Sequence, residues 1–272
     1  MNIKLYIVTY NNSIELDKTL NSIFDNLSKE ELNILDLNVI NNHANFKIDE
    51  KFKNKVKILH NNLRPDFSTG HLSRNWNQAI INGFKNLQNP DADIVITCQD
   101  DTRFQKNFVD NIVEYHKNLD FITFGYGDNF VSYTPNAIKK IGLWDERFCG
   151  IGYQEGDYFL RAYLYHKKYI SINDPTHGRI FNPIKNNILS HYSSGNARGE
   201  QYHRDAKRYH SHNKRIFLKK WAIEPERWNL EKLKDLKPLF PSFFYYPYFE
   251  KDIDFKTLIN GNYIVENYGK FK

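Results

Sequence analysis

Apolar and polar positions alternate along this chain in a regular order. Ile3 to Thr9 is a short run rich in Ile, Val and Tyr, the mark of a buried strand. The polar stretch Tyr10 to Ser13 breaks it. Leu16, Leu20, Ile23, Phe24 and Leu27 then recur at helical spacing, predicting an amphipathic helix over 13–27. Asn12 followed by Glu15 has the form of a capping box at its start. Strands are expected at 35–40 and 56–59, a helix at 71–87, and a strand at 93–97. A helix over 104–117, a strand over 121–125 and a helix over 136–141 stopped by Gly142 come next. Another helix opens near Asp157.

Strands and helices in alternation predict an α/β fold with a mostly parallel central sheet flanked by helices. Each strand runs into Asn, Asp or Thr, so the strand ends assemble one polar rim, where open α/β sheets bind ligands. The sharpest change of polarity is at Gln99, Asp100 and Asp101, directly after the apolar run Ile94 to Thr97. Adjacent carboxylates at the end of a buried strand are costly without a partner. A divalent cation bridging to a nucleotide diphosphate would supply one, and a plain polar turn is the alternative.

Glycines narrow the choice. The first in the chain is Gly70, so no glycine-rich loop follows the first strand. That excludes a dinucleotide-binding fingerprint and a P-loop. A nucleotide at this rim must be held by side chains and metal. Further on, Gly150, Gly152 and Gly156 precede a helix whose first turn carries Glu155 and Asp157. A helix N-terminus favours ionised carboxylates there.

Composition adds bounds. The chain has 272 residues, 40% hydrophobic, enough for one large domain with an appendage. No apolar run approaches the roughly 20 residues that cross a bilayer, and the start does not read as a signal peptide. Cys98 and Cys149 make neither a disulfide framework nor a zinc site, so a reduced, cytoplasmic protein is expected. The net charge of +6 suits an anionic partner. No nucleic-acid recognition motif is present, so nucleic acid is not expected.

Several blocks together carry a resemblance. They are Val-Thr-Tyr-Asn at 8–11, Ser-Arg-Asn at 73–75, Gln-Asp-Asp at 99–101 and Gly-Leu-Trp-Asp-Glu-Arg-Phe at 142–148. Tyr-Gln-Glu-Gly-Asp-Tyr-Phe-Leu-Arg at 153–161, Ser-His-Tyr-Ser-Ser at 190–194 and Asn-Lys-Arg-Ile-Phe-Leu-Lys-Lys-Trp at 213–221 follow. In this order they resemble the GT-A-fold glycosyltransferases of the large inverting family two. The likeness spans roughly residues 3 to 222, and its most specific part is 142–161.

The resemblance implies a GT-A fold with a Rossmann-like nucleotide-binding half and an acceptor-binding half. It implies a catalytic domain over 1–222, with 223–272 as an aromatic extension packed on it or used in a homodimer. The activity implied is inverting transfer of a sugar from a nucleotide sugar, a UDP-sugar first, to a glycan, lipid-linked or protein-linked acceptor. Mn²⁺ or Mg²⁺ would be held by Asp101, with His191 as second ligand. The donor pocket would be lined by Thr9, Tyr10, Asn11, Asn41, Arg64, Arg74, Gln99 and Asp100. Glu155 would be the base, with Asp157 the second choice. Three departures stand out: Gln99 at the first acidic position, Asn41 where many members have Asp, and Gln154-Glu155 in place of Glu-Asp. They leave open a catalytically silent nucleotide-sugar or glycan-binding protein on the same scaffold. The basic residues between 196 and 220 fit a solvated helix face, donor phosphates or peripheral contact with an anionic membrane.

Overall fold

The computed structural model describes residues 1–61, 72–124, 128–149, 152–165, 169–172, 189–191, 199–223, 236–244 and 246–254, with side chains left aside at 124, 169–172, 189–191 and 199–208. Seven strands form one sheet. They are β1 (Ile3–Thr9), β2 (Leu35–Asn41), β3 (Lys57–His60), β4 (Ile94–Gln99), β6 (Phe121–Phe124), β7 (Phe130–Tyr133) and β8 (Tyr169–Ile172). Their spatial order is β3-β2-β1-β4-β7-β6-β8. β1 pairs in parallel with both β2 and β4, and β2 with β3, while β7 runs against β4 and β6. The carboxyl ends of β1 to β4 therefore share one edge with the start of β7.

The strand sequences explain their burial. Ile3, Leu5 and Ile7 face one side, Tyr6 and Val8 the other, and all are buried. Both faces are covered, as continuous apolar strands require. On the first side lie α1 (Ser13–Asn26) and α4 (Phe108–His116), through Leu16, Leu20, Ile23, Phe108 and Ile112. On the second lie α3 (Leu72–Phe84), α5 (Pro135–Ile141) and α6 (Gln154–Tyr165), through Trp76, Ile80, Phe84, Ile138, Tyr158 and Phe159. α3 lies against β4 so closely that a Cβ on Gly83 would come within 2.4 Å of Val95 Cγ2.

The long helix α7 (Gly199–Trp221) presents Asn213, Phe217, Lys220 and Trp221 inward at spacings of four, seven and eight residues from the first. Phe217 and Trp221 pack with Phe148 and Leu160. The segment after it returns across the second side. Arg147 donates to the Pro241 carbonyl, Glu146 N–H to the Phe243 carbonyl, and Phe244, Phe249 and Ile253 join the core there. Phe249 lies in the short helix α8 (Pro247–Glu250). Among the described residues no helix is long and apolar enough to cross a membrane.

Four expectations change in detail. The helix expected over 104–117 is α4 alone, because Thr102–Phe104 forms a strand, β5, paired antiparallel with β9 (Leu189–His191). Strand β7 was not anticipated. Asn12 makes no side-chain cap; the capping box is instead at Ser28 and Glu31, opening α2 (Lys29–Asn33). Finally, α6 begins at Gln154, which puts both Glu155 and Asp157 in its first turn.

Candidate functional site

The rim is built around the turn leaving β4. Asp100 and Asp101 are 2% and 3% exposed. Thr9 Oγ1 donates to Asp100 Oδ2 at 2.7 Å, and Asn12 Nδ2 to Asp100 Oδ1 at 3.3 Å. The same contact turns the Asn12 side chain towards the aspartate, and it makes no cap on α1. The Thr19 hydroxyl lies 2.6 and 2.9 Å from the carbonyls of Asp100 and Thr102, fixing the turn's backbone from α1. Arg103 reaches back to Thr19 Oγ1 at 2.8 Å and pairs with Glu15. Burial pushes the Glu15 carboxyl up, but Lys18 and Arg103 outweigh it and hold it below its ordinary value.

The β5–β9 ladder sets His191 opposite Thr102, one residue from Asp101. Adjacent carboxylates at a strand end are donors that suit a hard cation completing its shell with phosphate oxygens and water; the His191 side chain lies outside the described residues. Among the described residues no group of three or more His, Cys, Asp or Glu side chains is placed to hold a metal ion.

On the β1–β2 side, Asn41 is buried and turned onto its own loop. Its Nδ2 donates to the His43 carbonyl at 2.8 Å, its Oδ1 accepts from His43 N–H at 3.0 Å, and it meets His60 Nδ1 at 3.1 Å. Tyr10 is half-buried with its ring edge-on to His43, and Asn11 is exposed with a left-handed backbone, φ 49°. Gln99 closes β4, its N–H donating to the Asn129 carbonyl at 2.9 Å. Arg64 lies outside the described residues.

The N-terminus of α3 comes up on the same edge. Arg74 is half-exposed, with Nε 3.2 Å from Glu146 Oε2. Asn77 exchanges hydrogen bonds with the backbone of Trp144 at 2.8 and 2.9 Å and donates to Glu146 at 2.9 Å. Tyr246 adds a hydroxyl to Glu146 at 2.7 Å.

The two carboxylates of the 153–161 block part company. Glu155 is half-buried at the start of α6. Asp157 is fully buried. Its Oδ1 accepts from Trp221 Nε1 at 2.9 Å and lies 2.6 Å from Lys220 Nζ, and its Oδ2 accepts from Arg161 Nε at 3.1 Å. Lys220 also reaches Asp145 at 2.8 Å, and Arg147 forks onto that carboxylate at 2.9 and 2.5 Å. Burial alone would raise the Asp145 carboxyl, but Arg147 and Lys220 hold it well below the usual carboxylate range. Burial pushes Lys220 down, with Asp145 and Asp157 opposing. The motif ending at Trp221 thus holds the 142–161 block from within. Asn213 completes this, bonding Cys149 and the Gly152 carbonyl just ahead of α6.

Asp128 escaped the sequence reading. It is buried on the same edge, just before β7, and accepts from Trp76 Nε1 at 2.7 Å and Gln154 Nε2 at 3.2 Å. The signal was Gly-Tyr-Gly-Asp-Asn at 125–129, a polar strand end like the others.

Comparison with solved structures finds likenesses at low identity. TarS 1–349 of S. aureus is 13% identical over 66% of this chain and 62% of that one, with a TM-score of 0.44. Glucosyl-3-phosphoglycerate synthase from Mycobacterium tuberculosis, in complex with Mn²⁺, UDP-glucose and phosphoglyceric acid, is 11% identical over 76% and 79%, with a TM-score of 0.46. The mannosyltransferase PcManGT from Pyrobaculum calidifontis, in complex with GDP-Man and Mn²⁺, is 10% identical over 64% and 55%, at 0.44. The chain thus spans less than two thirds of the length of TarS 1–349 and of PcManGT. No family model matches the chain, and no curated protein does.

Proposed function

We propose that this protein is a metal-dependent, inverting glycosyltransferase that moves a sugar from a nucleotide sugar, a UDP-sugar first, to a glycan or lipid-linked hydroxyl. The observation that carries the reading is one edge of the sheet. It gathers the Asp100–Asp101 turn, the α3 start with Arg74 and the α6 start with Glu155. A nucleotide diphosphate needs cationic and N–H donors, and an attacking hydroxyl needs a carboxylate within hydrogen-bond reach. This edge offers both.

Asp101 is assigned to Mn²⁺ or Mg²⁺, with His191 as second ligand. The cation, when bound, supplies Lewis-acid stabilisation of the leaving diphosphate. Asp100, held by Thr9 and Asn12, fixes the turn and faces the donor. Arg74 keeps its terminal guanidinium nitrogens for the diphosphate while Glu146 steadies Nε. Tyr10, Asn11 and the loop pinned by Asn41 wall the nucleoside, with Gln99 beneath and Arg64 as a further contact. Glu155 is the base. Asp157 is set aside because its carboxylate is committed to Trp221, Lys220 and Arg161. Arg215 and Lys219, exposed on α7, suit an anionic membrane surface carrying a lipid-linked acceptor.

Thermal shift with UDP-glucose, UDP-GlcNAc and GDP-mannose, each with and without Mn²⁺, tests this. A donor at about 100 times its Kd stabilises by about 2.7 kcal/mol. The expected result is a Mn²⁺-dependent rise with at least one donor, followed by release of the nucleoside diphosphate. Binding without any turnover would favour the silent sugar-nucleotide-binding protein. Binding of none would overturn both readings.

A further inference from the structure

We infer that Asp128 is a positioning residue for the transfer, clamping the helix that carries Glu155 to the turn that carries Asp101. The inference rests on the function proposed above. Asp128 joins three parts of the rim that are far apart in sequence. Its own carboxylate takes the indole N–H of Trp76, in the second turn of α3, and the amide N–H of Gln154, the first residue of α6. Its neighbour Asn129 accepts the Gln99 N–H, immediately before Asp100. Asp128 therefore stands between the two groups whose separation must match a sugar bonded to its diphosphate.

Gln154 is 2% exposed. Its Oε1 is buried with no hydrogen-bond partner among the described residues, so the bond to Asp128 is what orients the amide. A carboxylate at the first residue of α6 also suits the positive end of that helix. Trp76 is fully buried between α3 and the sheet, which makes it a rigid post for the clamp. Loosening it lets the first turn of α6 shift. A misplacement of about 1 Å costs roughly a hundredfold in rate while leaving donor contacts elsewhere intact.

The test is a double-mutant cycle in the full chain with Asp128→Ala, Gln154→Met and the pair. The donor is whichever of UDP-glucose, UDP-GlcNAc or GDP-mannose stabilises the wild type with Mn²⁺. Expected are losses of about 10- to 100-fold in kcat for each single variant, no further loss in the pair, and donor Kd within about threefold of wild type. Trp76→Phe, which keeps an aromatic ring at the site and deletes the N–H, should lose kcat in the same direction. Melting temperatures are recorded in parallel. A lower melting temperature with unchanged kcat, additive losses in the pair, or equal loss of donor binding would overturn the clamp. A wild type that neither binds nor hydrolyses any of these donors would overturn the function itself, before the variants are compared.

Discussion

At the residue scale, chemistry is set by which carboxylates are already committed. Asp145 and Asp157 share Lys220 inside the protein, with Arg147 and Arg161 completing a buried group of two acids and three cations. Removing one member strands the others. Lys220→Met should cost about 3–5 kcal/mol in urea unfolding; a loss under about 1 kcal/mol would show that the network carries little. His116 makes a second forecast. Burial pulls its pKa down to about 4, its Nδ1 meeting the Leu119 carbonyl and its Nε2 Ser132 Oγ. An imidazole kept neutral in the fold binds its proton first in the unfolded chain. Stability from this group is therefore present at neutral pH and lost as pH falls from its ordinary value of about 6.5 towards 4. Melting temperature followed over that window should fall less steeply in His116→Asn than in wild type; parallel slopes would remove His116 as the cause.

At the element scale, most of the sheet was legible: β1 and β4 are buried throughout and begin as apolar runs, β2 alternates, and β3 is a short edge strand ended by polar residues. Strands β1, β2, β3 and β4 lie within two residues of their expected ends. What was not legible is informative. Phe104 reads in sequence as the start of a helix, and Thr102 to Phe104 becomes a strand because Leu189 to His191 pairs with it from nearly ninety residues away. No local pattern carries that pairing. β7, Phe130 to Tyr133, is four residues long and enters against the direction of its neighbour β4, which the expectation of a mostly parallel sheet hid. The expected Asn12 cap is absent, and its side chain instead meets Asp100, a partner far away in sequence that no local pattern shows. Gly83 gives the element-scale prediction. The close approach of α3 to β4 leaves no room for a methyl group, so Gly83→Ala should destabilise by about 1–3 kcal/mol. Val95→Ala in the same chain should restore part of that; no recovery would mean that the contact with Val95 is not the cause.

At the scale of the whole molecule, the catalytic proposal depends on one edge fed by both sides of the sheet. From one side, Thr19 of α1 grips the Asp100–Asp101 turn and is itself held by Arg103 of β5. From the other, α3 and α6 bring Arg74 and Glu155, held by α7 and by the segment that returns over Glu146 and Arg147. The blocks at 142–161 and 213–221 were visible in sequence, but their relation was not. Asn213, Lys220 and Trp221 are the internal supports of the first block. The decisive experiment follows Mn²⁺-dependent release of nucleoside diphosphate from the donor that stabilises the protein, in wild type and in Asp101→Asn. Expected is turnover in wild type that EDTA abolishes and Mn²⁺ restores, and at least about a hundredfold less in Asp101→Asn, as for loss of a group stabilising transition-state charge. Turnover in Asp101→Asn equal to wild type would contradict the catalytic proposal.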